Sequence, residues 1–237
     1  MRDELAEKLY GGVKADNSIR EMNQWHASSM AECPRALMYK HLGVAPTQVA
    51  GAGKMIRWKA GHILETVMRP YLLSVYPDLE SNQRFESEKL NFTGEYDNYT
   101  AKDKTIIEIK SVHDRAFIYR KKEHTRYDLI GGKPYNNHEL QNHGYVVLMR
   151  EKGIEVKHIT YIYVTLDGRI ATYKTDVQED LVAKVERKLK TLNQSLVERK
   201  LPPCDCKESN EYWKSTLQYC DYRGDTCCDI KLLKGVK

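Results

Sequence analysis

The stretch "IIEIKSV", residues 106–112, alternates between two chemistries. In a strand, successive side chains point to opposite faces. Ile107 and Ile109 then share one face, and Glu108 and Lys110 share the other. The isoleucines predict a face packed against a helix. The charged pair predicts a face turned toward a cleft. Upstream, "GEYDNYT" (94–100) is the neighbouring strand, and "AKDK" (101–104) is the hairpin turn between the two. A hairpin that closes normally lets Asp97 reach the patch occupied by Glu108 and Lys110.

A Glu–Lys pair on a strand is by itself an ordinary solvated pair. Asp97 changes that reading. Two carboxylates held together repel, and a divalent cation removes the cost of ionising both. Magnesium suits a small number of oxygen ligands and keeps several waters. A lysine beside such an ion can orient an attacking water.

Working outward, "HASSMAECPRALMYKHLG" predicts a helix from about Ser28, ended by Gly43. "VAPTQVAGAG" is a turn-rich linker. "MIRWKAGHILETVMRPYLLSVYP" predicts a long amphipathic helix with Ile63, Leu64, Val67, Met68, Tyr71 and Leu72 at its apolar positions. Gly61 costs helix stability, which suggests close packing or ligand approach. Strands are expected near 83–91, 94–100 and 104–112, then a charged, weakly periodic segment over 114–136 and a helix over 137–151. "VKHITYIYVTLDGRIATYKTD" predicts a second hairpin turning at "LDGR", followed by a charged helix over 176–198. This order implies an α/β fold with a mixed central sheet flanked by helices. The expected organisation is a single domain over 1–237. It comprises a helical N-terminal part (23–82), a catalytic core (83–175) and a C-terminal helix with a Cys-rich segment (176–237).

The bulk numbers agree with a globular protein. The chain has 237 residues, 41% of them hydrophobic, and 38 Lys and Arg against 33 Asp and Glu for a net charge of +5. That balance permits a nucleic-acid partner without demanding one. No apolar run is long enough to span a membrane. The polar N-terminus "MRDELAEKLYGG" is no signal peptide, so a cytoplasmic location is expected. In that reducing compartment the six cysteines point to a metal or iron–sulfur site rather than to disulfides. Tetrahedral zinc and an iron–sulfur cluster suit thiolate ligands about equally. "YRKKEHTRYDL" (119–129) mixes cations with aromatics, and Arg35, Lys40, Arg57 and Lys59 lie on the first two helices. Such residues can line a channel for a single strand. No apolar face that would require ring assembly is evident.

"GEYD…IIEIKS" resembles the core of the PD-(D/E)xK nuclease superfamily, whose fold is restriction-endonuclease-like. More narrowly, the chain resembles the RecB-like branch, including the iron–sulfur exonucleases associated with CRISPR loci and related phage nucleases. The resemblance implies that Asp97 and Glu108 are ligands for magnesium or manganese, that the Ile109 carbonyl is a further one, and that Lys110 is the catalytic lysine. Tyr96 stands where a proline often precedes the aspartate. Gly61 and Glu65 match a glycine followed four positions later by a metal-binding residue, which makes Glu65 a further ligand with His62 as its rival. "ELQNHGYVV" looks like the branch's Q-x-x-x-Y motif. It implies that Gln141 and Tyr145, i and i+4 on a helix, contact the substrate backbone. Arg35 follows "CP" in a segment similar to the N-terminal signature of the iron–sulfur members, and is a candidate DNA contact.

On that resemblance Cys33 is the first ligand of a [4Fe-4S] cluster, zinc being the alternative. Cys220 and Cys227 are two more ligands. Leu217 occupies the position expected of another cysteine, which leaves Cys206, Cys204 or Cys228 for the fourth, with Cys206 preferred. The cluster would staple the Cys-rich C-terminus to the N-terminal helical segment. The implied activity is metal-dependent hydrolysis of DNA, as an exonuclease on single-stranded or frayed ends in recombination, repair or phage DNA metabolism. Alternatives are CRISPR spacer-precursor processing, structure-specific endonuclease action, and an inactive nucleic-acid-binding or zinc-binding structural protein. The partners implied are DNA, a recombination protein or further copies of the chain, and no membrane.

Overall fold

The computed structural model describes residues 22–47, 52–119, 127–204, 220 and 222. The chain divides into two compact units, one of residues 26–31 and 56–186, the other of residues 1–25, 32–55 and 187–237.

The larger unit is built on a six-stranded sheet. Its strands are β1 (Trp25–His26), β2 (Leu79–Ser87), β3 (Phe92–Thr100), β4 (Thr105–Ser111), β7 (His158–Val164) and β8 (Ile170–Asp176), while β5 (Phe117–Tyr119) and β6 (Tyr127–Leu129) form a separate antiparallel pair. The α-helices among the described residues are α1 (Pro34–His41), α2 (Ala52–Val75), α3 (Asn136–Glu151) and α4 (Glu179–Glu198). The sheet path is β1-β3-β4-β7-β8, with β2 also paired to β3. Pairing is antiparallel except between β4 and β7, which run parallel. The parallel pair requires a long crossover, and α3 supplies it.

The alternation of β4 is realised. Ile107 and Ile109 join Leu72, Ile162 and Val164 in one buried cluster, with Leu64 and Met68 of α2 against it. Full burial of such aliphatic side chains contributes about 1.5–3 kcal/mol each. α2 comes close to the end of β4 at Gly61, where a Cβ would stand 3.1 Å from the Ser111 Oγ. The glycine thus serves close packing, and Glu65 follows one turn later on α2.

Three expectations are corrected. The first helix starts at Pro34 rather than Ser28, and Ser28 lies in a short 3-10 turn over Ala27–Ser29. Cys33 has an extended backbone, as a residue before proline favours, so the helix cannot run through it. The first long strand ends at Ser87 rather than near 91, because Leu90 N–H donates to the Ser87 Oγ and Asn91 turns with φ 49°. Asparagine is among the few residues that take this left-handed conformation readily. Within the weakly periodic 114–136 segment the structure adds the short β5–β6 pair.

The second unit has its own small core. Cys33, Ala36, Tyr39 and Tyr222 are buried together, with Val44, Leu201, Cys204 and Cys220 packed against them. Trp25 Nε1 donates to Asn193 Oδ1 at 2.7 Å, and Tyr222 Oη donates to the Val44 carbonyl at 3.0 Å.

Candidate functional site

The site forms where β3 and β4 part. Their register runs from Thr100↔Thr105 to Asn98↔Ile107 and stops there. The next inward-facing N–H on β4, that of Ile109, donates instead to Asp97 Oδ2 at 3.0 Å. Asp97 therefore takes the place of a β3 carbonyl. Its carboxylate is held in the opening between the strands, and Glu108 is next to it in electrostatic terms.

Glu108 is fully buried, and its Oε1 is ion-paired with the Lys110 Nζ. Gln141 Nε2, on α3, donates to the same oxygen at 2.8 Å and lies 2.6 Å from Tyr145 Oη. The other oxygen, Oε2, is buried with no hydrogen-bond partner. A buried carboxylate oxygen without a donor is costly unless a cation satisfies it.

The electrostatics describe a crowded acidic cluster around one cation. Burial, then repulsion from Asp97, push the Glu108 carboxyl up to about 8, against the opposing pull of Lys110. Burial and the Asp97 charge also raise Glu65, while Lys110 and His62 act to lower it. Burial alone would depress Lys110, but Glu108, Asp97 and Glu65 more than offset it and hold the ammonium above its ordinary range. His62 Nδ1 lies 3.4 Å from Glu65 Oε2 and is the more exposed of the two.

The structure thus brings Asp97, Glu108, Lys110, Glu65, Gln141 and Tyr145 into one neighbourhood. Tyr145 is buried, and burial raises its hydroxyl pKa well above the usual value, with the Glu108 and Asp97 charges adding to this. Its ring packs so closely on β3 that a Cβ on Gly94 would meet it at 2.9 Å. Arg35 belongs to the second unit, where its Nε donates to the Pro202 carbonyl at 3.0 Å. Most of the basic 119–129 stretch lies outside the described residues.

Sequence reading passed over His138 and Tyr163. Tyr163 is the parallel partner of Lys110, so it projects from the same face. Its hydroxyl accepts from Tyr135 N–H at 3.1 Å and lies 3.0 Å from His138 Nδ1. Burial, with Lys110 adding to it, depresses the His138 imidazole to about 3. A neutral aromatic wall therefore stands beside the lysine. A single histidine on a helix carries no sequence signal that would mark it.

Among the described residues, no three His, Cys, Asp or Glu side chains close into a ready-made metal cage. Asp97, Glu108 and a backbone carbonyl still suit a hydrated magnesium or manganese ion, which takes few protein ligands. The partnerless Glu108 Oε2 is the oxygen such an ion would satisfy.

The cysteines form a second cluster. Cys33 Sγ and Cys204 Sγ are 3.8 Å apart, and Cys220 packs on the same small core. Among the described residues, Cys204 and Cys220 are both brought to the core of Cys33; Cys206, Cys227 and Cys228 lie outside the described residues. Thiol donors suit zinc or an iron–sulfur cluster, yet the described cysteines do not close into a metal site.

No protein-family model and no curated protein sequence matches the chain. Solved structures match the fold. An alkaline exonuclease from Laribacter hongkongensis superposes with a TM-score of 0.53 at 15% identity, over 81% of this chain and 93% of that one. A phage-related exonuclease from Haemophilus somnus gives 0.53 at 16% identity, over 75% and 96%. The protein SSO0001 gives 0.51 at 18% identity, over 93% and 95%. The chain shares their fold, a mixed sheet flanked by helices, as the strand pattern implies. Among the described residues, no helix is long and apolar enough to cross a membrane.

Proposed function

We propose that the protein is a divalent-cation-dependent deoxyribonuclease, acting as an exonuclease on single-stranded or frayed DNA ends in recombination, repair or phage DNA metabolism. One observation carries this reading: a fully buried glutamate with an unpartnered oxygen, beside Asp97 and Lys110, at the point where two strands part. Two of the structures that share the fold are described as exonucleases, which supports the reading.

Asp97, Glu108 and Glu65, with the Ile109 carbonyl, would hold magnesium or manganese, which supplies Lewis-acid stabilisation of the charge developing on the phosphate. Lys110 places its ammonium beside Glu108, where it positions the attacking water and offsets negative charge. The water oxygen bonds to phosphorus as it gives up a proton to solvent, and the sugar oxygen opposite departs with the bond pair and takes up a proton from solvent. Gln141 locks the rotamer of Glu108 through Oε1, its two amide N–H groups directed to Glu108 and Tyr145. Tyr145 buttresses Gln141 from below.

For the cysteines we assign Cys33, Cys204, Cys220 and Cys227 to an iron–sulfur cluster, with zinc as the alternative metal. Cys204 replaces Cys206 in this set because its sulfur already lies beside Cys33. Protein purified without oxygen is expected to be brown, and Cys204→Ala to lower iron per chain more than Cys206→Ala does.

The decisive experiment is cleavage of end-labelled single- and double-stranded DNA with manganese, comparing wild type with Lys110→Ala. Stepwise shortening by the wild type and none by the variant is expected. Equal cleavage by both, or none by either, would overturn the assignment.

A further inference from the structure

One residue of β3 stands outside its ladder with β2, and it is Asp97. The antiparallel register pairs Ser81 with Asn98 and Gln83 with Tyr96, and it runs on in step to Leu79↔Thr100 and Ser87↔Phe92. Asn82 stands where the partner of Asp97 would be, yet the two are not paired. Asn82 is also the residue of β2 with a positive φ, 55°. Such a backbone turns its N–H and C=O out of the pleat, so it does not exchange hydrogen bonds with the residue opposite. A left-handed residue other than glycine persists in mid-strand only where its surroundings hold it, and such outliers gather at functional sites.

The consequence falls on the direction of the Asp97 side chain. In a regular strand a side chain stands roughly perpendicular to the sheet. The Asp97 carboxylate instead reaches along the ladder, to the Ile109 N–H of β4 at 3.0 Å. That reach needs β3 to swivel at one residue. The missing pair with Asn82 permits the swivel, and the next residue confines it. Ser81 Oγ donates to Asn98 Oδ1 at 2.8 Å, and Asn98 Nδ2 donates to the Ile107 carbonyl at 3.4 Å. Asn98 is thus tied to both neighbouring strands, while Asp97 is free to turn. The Asn82 side chain is itself exposed, so its backbone conformation is what it contributes. Asparagine takes that conformation more readily than most residues bearing a β-carbon.

We infer that Asn82 is a positioning residue: its left-handed backbone withholds the β2 pair from Asp97 and so aims that carboxylate into the opening between β3 and β4. What the aimed carboxylate serves rests on the proposed metal-dependent reading; where it points does not.

Amide hydrogen exchange in the metal-free protein tests the placement, because the Ile109 N–H is held by Asp97. In Asn82→Val a β-branched side chain that resists positive φ and favours a strand restores the missing pair. Ile109 exchange should then run about tenfold faster, the equivalent of one lost hydrogen bond, while the amides of β7 keep their rates. Asn82→Gly takes positive φ freely and should match the wild type. An unchanged Ile109 rate in Asn82→Val overturns the inference. So does an equal acceleration in Asn82→Gly, since the side chain rather than the backbone would then be responsible. If Asn82→Val loosens β7 as well, Asn82→Ala reads the same amide, and a wild-type Ile109 rate there overturns the inference. Manganese binding, followed by the electron paramagnetic resonance of the free ion, reads the function. Asn82→Val should raise the dissociation constant about 10–100-fold, as loss of support for a ligand does, and Asn82→Gly should leave it unchanged. Unaltered manganese affinity in an Asn82→Val protein that exposes Ile109 overturns the role in metal binding. A wild type that binds no manganese overturns the nuclease reading, and the Ile109 exchange then decides the placement alone.

Discussion

Each face of β4 carries a fully buried side chain, yet different forces hold them. Ile107 and Ile109 are excluded from water and matched by apolar neighbours, so burial itself stabilises them. Glu108, between them in sequence, is just as buried, and there burial works against the charge. Only Lys110 and Gln141 offset that cost, and one oxygen stays unmatched. A face that must fold and, on the proposed reading, a face that must react can share one short strand because alternation separates them. The lesson is that the second face draws on stability which the first supplies.

The comparison breaks most sharply under substitution. Lys110→Ala should cost about 10³-fold in cleavage rate, on the scale of losing one preorganised electrostatic group, and leave the isoleucine face packed. End-labelled substrate measures the rate and urea unfolding measures the packing. If both fall together, the two faces are not independent. Ile107→Ala should do the reverse and destabilise by about 2–5 kcal/mol through lost burial and a cavity. The urea midpoint reports it.

Cation binding should sharpen the contrast by relieving the charged face alone. Manganese at about a hundred times its dissociation constant should stabilise the wild type by roughly 2.7 kcal/mol. Differential scanning calorimetry should show a raised Tm that Asp97→Ala abolishes and Ile107→Ala retains. Gly94→Ala probes the support beneath the charged face. Its Cβ would meet the Tyr145 ring and Ala27 at 2.9 Å, so the ring must shift, at a cost of about 1–3 kcal/mol. The expected readout is a lower Tm and, through Gln141, slower cleavage.

The smallest effect concerns pH. His138 and His143 both have imidazole pKa values lowered by burial. His143 Nε2 accepts from Gln178 N–H at 3.0 Å, a bond that protonation destroys. Because the folded values lie below the unfolded one, the stability these groups contribute is complete above about pH 6.5 and is lost as pH falls. Each should add a slope of at most about 1.4 kcal/mol per pH unit in that acid window. Urea midpoints between pH 7 and pH 5 check the sign, and His143→Gln should flatten its share.

Much of this protein was legible from residue order. Alternation placed Ile107 and Ile109 opposite Glu108 and Lys110, because period two is a property of the extended backbone itself. The helical steps put Gln141 and Tyr145 on one face of α3 for the same kind of local reason. Local geometry also carried the order of the elements and the two hairpin turns at 101–104 and 166–169. The tertiary structure decided whatever depends on distance across the chain. It ended the β3–β4 ladder at Asn98 and gave the freed Ile109 N–H to Asp97. It stood His138 and Tyr163 beside Lys110, and brought Cys204 and Cys220 to the small core that holds Cys33. It also turned half of the apolar positions of α2 outward, although periodicity counts them all as core. Spacing along a chain fixes which side chains share a face; only packing fixes what that face meets.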